Sequence, residues 1–269
     1  MSAGAGTGTF RKMFDWLLRP IRHARRASLL EQPFPTEWEP YIARLPFFQA
    51  LDDRGRGRVR DDLRVLVAEK NWEGCGGFTL TDEVRVTIAA QASLLLLNIE
   101  HDYYRHVTSI LVYPAAYRTM PQRGADGVVR EGQANLGEAW RRGPVVLSWD
   151  DAKRGALDPD DGHNLVFHEF AHKLDMLDGA ADGTPPIADR ALFDRWVETM
   201  TREFRALRED TARGRATVLD TYGATNPAEF FAVATECFFE KSRQLAQRHP
   251  ALYELLRAYY HQDPANRSS

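Results

Sequence analysis

The sequence predicts an α+β fold, mostly helical, with a small sheet set beside one chemically loaded helix. Three observations lead there. Long stretches around 51–69, 81–99, 192–207 and 250–260 carry apolar residues at helical spacing. Three short runs with strand character lie between residues 109 and 149. A further helical stretch contains His168-Glu169-Phe170-Ala171-His172, the H-E-x-x-H pattern. With 269 residues, 43% apolar and 27% charged, the chain is long enough to bury a sizeable core and has the composition of a globular protein.

Residues 1 to 9 are small or polar after Met1, without an apolar pattern, and are expected to be disordered. From Phe10 to Leu30 the arginines Arg11, Arg19, Arg22, Arg25 and Arg26, with Lys12, interleave with Phe10, Phe14, Trp16, Leu17, Leu18 and Ile21, and Pro20 breaks the run. A secretory signal would separate its charges from a continuous apolar core, and this segment does not. Two readings stay open: a basic amphipathic segment that touches acidic lipid or a partner, or a short helix packed on the domain with its arginines in water. The expected organisation is therefore a variable N-terminal segment, residues 1–40, and a single domain over 41–269.

Pro33, Pro35, Pro40 and Pro46 mark an extended lead-in, after which Val59, Leu63, Leu66 and Val67 set the helix of 51–69. Gly74 to Gly77 punctuates the chain. The next helix starts near Thr81, where Asp82 and Glu83 complement its positive end, and runs through Val84, Ile88, Leu95 and Ile99. It is apolar on several faces, which places it centrally in the core.

Strand character follows at Ser109–Tyr113, which ends at Pro114, at Val128–Glu131 after Gly124 and Gly127, and at Val145–Trp149 after Gly143-Pro144. The three are expected to form one small sheet, with the last a floor or edge strand beside the H-E-x-x-H helix, where an extended substrate can pair. Gly155 to Asn164 reads as a loop in which Asn164 caps that helix. Leu165, Phe167, Phe170, Ala171 and Leu174 then pack it, and it stops near Gly179. Leu192–Leu207 and Pro250–Tyr260 read as core helices.

Several classes drop out. The net charge is only −3 and no basic stripe accompanies a nucleic-acid-binding signature, so no direct nucleic acid binding is expected. Cys75 and Cys237 supply neither a disulfide framework nor a C-x-x-C pair, which points to a reducing compartment and a cytoplasmic location. The longest apolar run, Ile88 to Leu97, includes Gln91 and Ser93 and is too short to span a bilayer, so no transmembrane segment is expected.

The H-E-x-x-H pattern carries the chemistry. At the His and Glu frequencies of this chain random placement gives about 0.015 such motifs, so its helical context has to decide what it means. On a helix His168 and His172 stand one above the other and can turn a ring nitrogen toward one ion, while Glu169 lies about 100° around the axis. Two neutral imidazoles suit zinc, and a spare carboxylate beside them can take a proton from water activated there. One zinc ion is the expected cofactor, and it needs a third protein ligand.

A third histidine at metzincin spacing is absent, because Asp175 and Asp178 stand where that pattern has Gly and His. The downstream stretch Asp220 to Glu236 offers a better candidate. Asn226 before Pro227 reads as a helix cap and first-turn proline, so Glu229 falls in the first turn and Glu236 two turns later on the same face. Phe230, Phe231, Val233, Phe238 and Phe239 leave that helix little polar face, so the two carboxylates need a partner. Glu229 is the expected third ligand and Glu236 the acceptor for the far side of a ligand imidazole. Asp175 shares the histidines' face and either orients an imidazole or ends the helix.

These residues resemble the Mlc titration factor A family of zinc peptidases: His168 to Asp175, Tyr222, and Asn226-Pro227-Ala228-Glu229-Phe230-Phe231-Ala232-Val233. Leu111–Pro114, Gly143–Trp149 and Tyr259–Pro264 look like family segments too, so the resemblance spans about Pro46 to Pro264. It implies a zincin-like, gluzincin-type metallopeptidase domain whose active-site helices are related to those of the anthrax lethal factor protease. It further implies His168, His172 and Glu229 as zinc ligands, Glu169 as general base and Tyr222 as hydrogen-bond donor to the developing oxyanion. Aminopeptidase-like cleavage of short peptides is implied as well. On the residues alone Tyr222 can also be a core aromatic near a turn. A rival from another class follows from the family's name: a regulatory module that binds and sequesters a transcriptional repressor of the Mlc type. Expected partners are therefore a peptide or protein substrate, or such a repressor.

Overall fold

A computed structural model describes residues 7–115, 122–123, 129–130 and 143–267, with side chains from Arg19 onward in the first helix. The chain divides into two compact units that part between Thr36 and Glu37. The first unit carries helix α1, Thr7–Glu31. This helix continues through Pro20 instead of breaking there, and it takes up residues 7–9, for which disorder is expected from composition. The first six residues lie outside the described part.

In the second unit the elements follow in the order α2 (Glu39–Ala43), α3 (Pro46–Gln49), α4 (Asp53–Glu69), β1 (Asn71–Gly74), α5 (Asp82–Leu96), β2 (Ser109–Tyr113), β3 (Gln122–Arg123), β4 (Val129–Arg130), β5 (Val145–Ser148), α6 (Trp149–Leu157), α7 (Leu165–Asp175), α8 (Arg190–Ala212), α9 (Pro227–Glu240), α10 (Ser242–Arg248) and α11 (Pro250–Tyr260). The fold is mostly helical α+β, as expected from the patterning.

Helix α5 forms the centre. Thr81 caps it by accepting from the Val84 N–H, and every residue from Val86 to Leu96 is buried. An element apolar all round can only sit inside, and α5 is packed by α4 and by α7. Two of its buried polar residues are satisfied along the helix, Ser93 Oγ donating to the Ala89 carbonyl (2.7 Å) and Gln91 Nε2 to the Thr87 carbonyl (3.2 Å), whereas the buried Thr87 hydroxyl meets no partner among the described residues.

The sheet corrects one expectation. Its order is β1-β2-β5 and all three strands are parallel, with Asn71 opposite Ser109, Ile110 opposite Val145 and Tyr113 opposite Ser148. Val129–Arg130, expected in that sheet, instead pairs antiparallel with Gln122–Arg123. The strand that takes its place, Asn71-Trp72-Glu73-Gly74, has no β-branched residue and is too short for its single apolar side chain, Trp72, to set a period-two pattern, so its strand signal is weak. Its pairing is set by topology: a parallel neighbour needs a crossover, and α5 supplies it between β1 and β2. Ile110, Val112, Val145 and Leu147 turn inward, and Val146 on the edge strand β5 is 44% exposed. Strand β5 packs against α7, as anticipated for the last of the three expected strands.

Helix α6 and the short α10 are two further elements that periodicity does not reveal. Trp149, expected to end the strand, opens α6 because Ser148 caps it by accepting from the Asp151 N–H and Asp150 and Asp151 fill its first turn. The loop expected from Gly155 therefore starts only at Asp158. Among the described residues no helix is long and apolar enough to cross a membrane.

Candidate metal centre

The H-E-x-x-H segment lies within α7, whose start is fixed by Asn164. Its Oδ1 accepts from the Phe167 N–H (3.0 Å), and its Nδ2 donates to Gln91 Oε1 (2.9 Å) and to the Gly155 carbonyl (3.0 Å). One residue thus starts the helix and ties it to α5 and α6. The far end turns through Met176–Asp178 into Gly179 at φ +98°, a left-handed C-terminal stop that glycine adopts without strain.

Helix α9 lies alongside α7 and begins as its sequence predicts: Asn226 Oδ1 accepts from the Glu229 N–H (3.0 Å), with Pro227 in the first turn. The side chain of Glu229 reaches both histidines. Glu229 Oε2 lies 2.9 Å from His168 Nε2 and 3.2 Å from His172 Nε2, and the two ring nitrogens are 3.2 Å apart. Among the described residues these three form the one group of His, Cys, Asp or Glu side chains with ligand atoms close enough to share an ion.

That triangle fits a small cation. Zinc with bonds of about 2.0–2.1 Å in tetrahedral geometry spaces its ligand atoms about 3.3–3.4 Å apart, close to the separations here. Two imidazole nitrogens that approach each other, with a carboxylate oxygen between, are three electron-pair donors around one point, and a cation is what satisfies them together. The field has the matching sign. Burial works against charge on His168, but hydrogen bonds to Glu229 and Glu236 outweigh it and push the imidazole pKa up to about 10. Burial would raise Glu229 too, yet the two histidines hold its carboxyl down to about 2. The surroundings that hold a proton on His168 equally favour a metal cation in its place.

Glu236 completes the support. Its Oε1 lies 2.7 Å from His168 Nδ1 and its Oε2 accepts from the Asn164 N–H at 2.7 Å, so one buried carboxylate grips the ring and the cap of the same helix. With Glu236 accepting at Nδ1, the Nε2 lone pair is directed to the centre. Glu169, half-buried one residue beyond His168, is held above its ordinary pKa by burial, although His168, His172 and Lys173 oppose the shift. Lys173 is itself buried, and burial lowers its pKa.

Tyr222 sits on the short turn Thr221–Ala224, itself capped by Asp220 Oδ1 accepting from the Tyr222 N–H. Its ring centroid is 5.9 Å from that of His168, and the residue is 54% exposed, an aromatic at the rim of the centre rather than in the core. Asp175 behaves differently from the histidines it follows. It is fully buried, Oδ2 accepts from the Gly183 N–H (2.9 Å), and Oδ1 meets no hydrogen-bond donor, so its bond goes to the 180–184 loop and to neither imidazole. Burial pushes its pKa up to about 6. Gly183, at φ +80°, comes so near the first turn of α9 that an added Cβ would stand 2.3 Å from the Pro227 carbonyl oxygen. Asp175 and Gly183 together therefore pin this loop beside the start of the Glu229 helix. The sequence reading missed Gln91, an acceptor for Asn164 within an otherwise apolar helix. Its visible trace was a polar residue, one of two with Ser93, inside the run Ile88–Leu97.

The family description Glucose-regulated metallo-peptidase M90 matches residues 21–261. An uncharacterized protein of Synechocystis sp. is 40% identical over 244 residues, covering 89% of each chain. Mlc titration factor A of Serratia proteamaculans is 33% identical over 250 residues, covering 91% of this chain and 92% of that one, and the protein of that name from Yersinia pestis is 31% identical over 260 residues, covering 95% and 92%. A match over most of the length and two helices that bring two histidines and a glutamate to one point lead to one assignment: the chain belongs to the M90 family of metallopeptidases.

Proposed function

We propose that the protein is a zinc-dependent peptidase, aminopeptidase-like on short peptides and cytoplasmic, with one zinc ion held by His168, His172 and Glu229. The observation that carries this reading is the approach of the three ligand atoms to within 3.2 Å of one another. Zinc there supplies Lewis acidity that polarises a carbonyl and acidifies water. The chain's own residues do the rest. Glu169 takes the proton from the attacking water and returns it to the leaving amine, a role suited to a carboxyl whose pKa lies above the ordinary range. Tyr222 donates to the oxyanion as the carbonyl carbon becomes tetrahedral, and its position at the rim, over His168, suits a group that meets substrate. Glu236 keeps His168 in the tautomer and orientation the ion requires. The aminopeptidase preference and the cytoplasmic location rest on the family resemblance and on two free cysteines without a disulfide framework.

The test is Glu169→Gln. This variant is expected to keep zinc, since Glu169 is no ligand, and to lose peptide hydrolysis by about 10²–10⁴-fold. Turnover at the parent's rate would overturn the mechanism.

A second reading has a specific observation behind it, the name Mlc titration factor A borne by the Serratia and Yersinia relatives. In it the chain sequesters a transcriptional repressor and peptidase activity is secondary or switched on by the partner. Zinc-loaded protein that hydrolyses no peptide alone yet retains such a repressor in a pull-down would favour this reading.

A further inference from the structure

Away from the metal centre, a cavity of about 730 Å³ opens between the turn after α3, the first turns of α4, the end of α5 and the tail that follows α11. Its walls carry four guanidiniums, Arg54, Arg56, Arg58 and Arg267, against two carboxylates, Asp52 and Asp263. Both carboxylates are already engaged. Asp52 Oδ1 caps α4 by accepting from the Gly55 N–H (2.7 Å), and Asp263 accepts from Tyr253 Oη (2.6 Å) and Asn266 Nδ2 (3.0 Å).

The cations are not satisfied to the same degree. Arg54 is exposed and has no hydrogen bond or ion pair among the described residues. Arg58 donates to one neutral acceptor, Asn98 Oδ1, at 3.1 Å, and the buried carboxyl of Asp62 lies within its electrostatic reach. The Nε of Arg56 is buried without a partner, and its Nη2 is 3.9 Å from a fully exposed Asp53. Arg267 donates to Gln262 Oε1 within a largely buried setting that lowers its pKa, although Asp263 and Asp52 nearby oppose the shift. His261, at the left-handed end of α11, adds a further ring to the wall. A recessed space of small-molecule size, lined by forked donors with open positions, has the chemistry of a phosphate site.

We propose that this groove binds a soluble phosphate-bearing small molecule, anchored by Arg54, Arg58 and Arg267. A phosphate monoester or pyrophosphate group accepts from several guanidiniums at once, and the volume leaves room for an organic portion. Such a group also occurs on lipid headgroups. The recessed site favours the free molecule.

Calorimetric titration of the full chain with inorganic pyrophosphate tests this. One saturable site that weakens steeply as sodium chloride is raised is expected. Arg54→Ala with Arg58→Ala should weaken binding by at least about tenfold while the circular dichroism stays that of the parent, both side chains being exposed. Arg190→Ala, at an exposed position that opens α8, should bind like the parent. Absence of saturable binding, or equal binding by the double variant, would overturn the site. Binding to phosphatidylcholine vesicles containing phosphatidic acid, without binding of pyrophosphate, would overturn the soluble ligand. None of these readouts depends on the peptidase reading.

Discussion

Replacing Glu236 by Gln isolates the support of the metal centre from its ligands. The carboxylate uses both oxygens, one at 2.7 Å from His168 Nδ1 and one accepting from the Asn164 N–H at 2.7 Å. A glutamine of nearly the same volume keeps one acceptor and turns an amide NH₂ toward the other donor, so one of the two bonds is lost and two donors face each other in a buried place. If the His168 bond goes, the ring loses its tautomer and its added basicity, and zinc affinity should fall by about 10–100-fold, or about 1.4–2.7 kcal/mol. Competition of the variant and the parent against a zinc-binding dye measures this directly. Fold is checked by far-UV circular dichroism, because the capping of α7 by the Asn164 side chain is untouched. An affinity within twofold of the parent would refute the assignment of Glu236 as the group that orients His168.

Further outcomes follow from the same structure. Tyr222→Phe removes a hydroxyl from an exposed ring, so it should lower kcat by about 10–10³-fold with KM, zinc content and stability little changed; equal loss in KM alone would make Tyr222 a binding residue. Gly183→Ala forces a Cβ against the Pro227 carbonyl at positive φ and should cost more than about 2 kcal/mol in urea unfolding, whereas unchanged stability would mean the 180–184 loop yields freely. Burial pushes Asp62 up to about 7 from 3.8, despite Arg58 nearby. A carboxyl with a folded pKa above its unfolded one binds its proton more tightly when folded, so stability falls as pH rises through that window. Asp62→Asn should therefore reduce the loss of unfolding free energy between pH 5 and pH 8 by about 2–3 kcal/mol relative to the parent, and an unchanged pH slope would contradict the shift.

The legible parts of the molecule are those with short-range causes. Asn164 and Asn226 announce their helices because a capping side chain acts within three residues, and both accept the N–H that the sequence leads one to expect, while the helix expected to start near Thr81 does so with Thr81 as its cap. The run Ile88–Leu97 shows its central burial because no face is left for water. Glu229 and Glu236 are readable as a pair because helical spacing sets them on one side of an apolar helix, and the fold brings both to His168. What escaped depends on long-range pairing. Asn71–Gly74 is a strand only because Ser109–Tyr113 lies beside it, and nothing in Asn-Trp-Glu-Gly encodes that neighbour. Asp175 left two readings because its helical face aims it toward the histidines, whereas its partner, Gly183, arrives from a loop whose course no periodicity reveals.

Whether His168, His172 and Glu229 hold one metal ion, as proposed, is decided by anomalous diffraction at the zinc edge from crystals of zinc-loaded protein. One peak per chain is expected, about 2.0–2.2 Å from His168 Nε2, His172 Nε2 and a Glu229 oxygen, and none in Glu229→Ala at stoichiometric zinc. A peak elsewhere, or the same peak retained at full occupancy in Glu229→Ala, would contradict it.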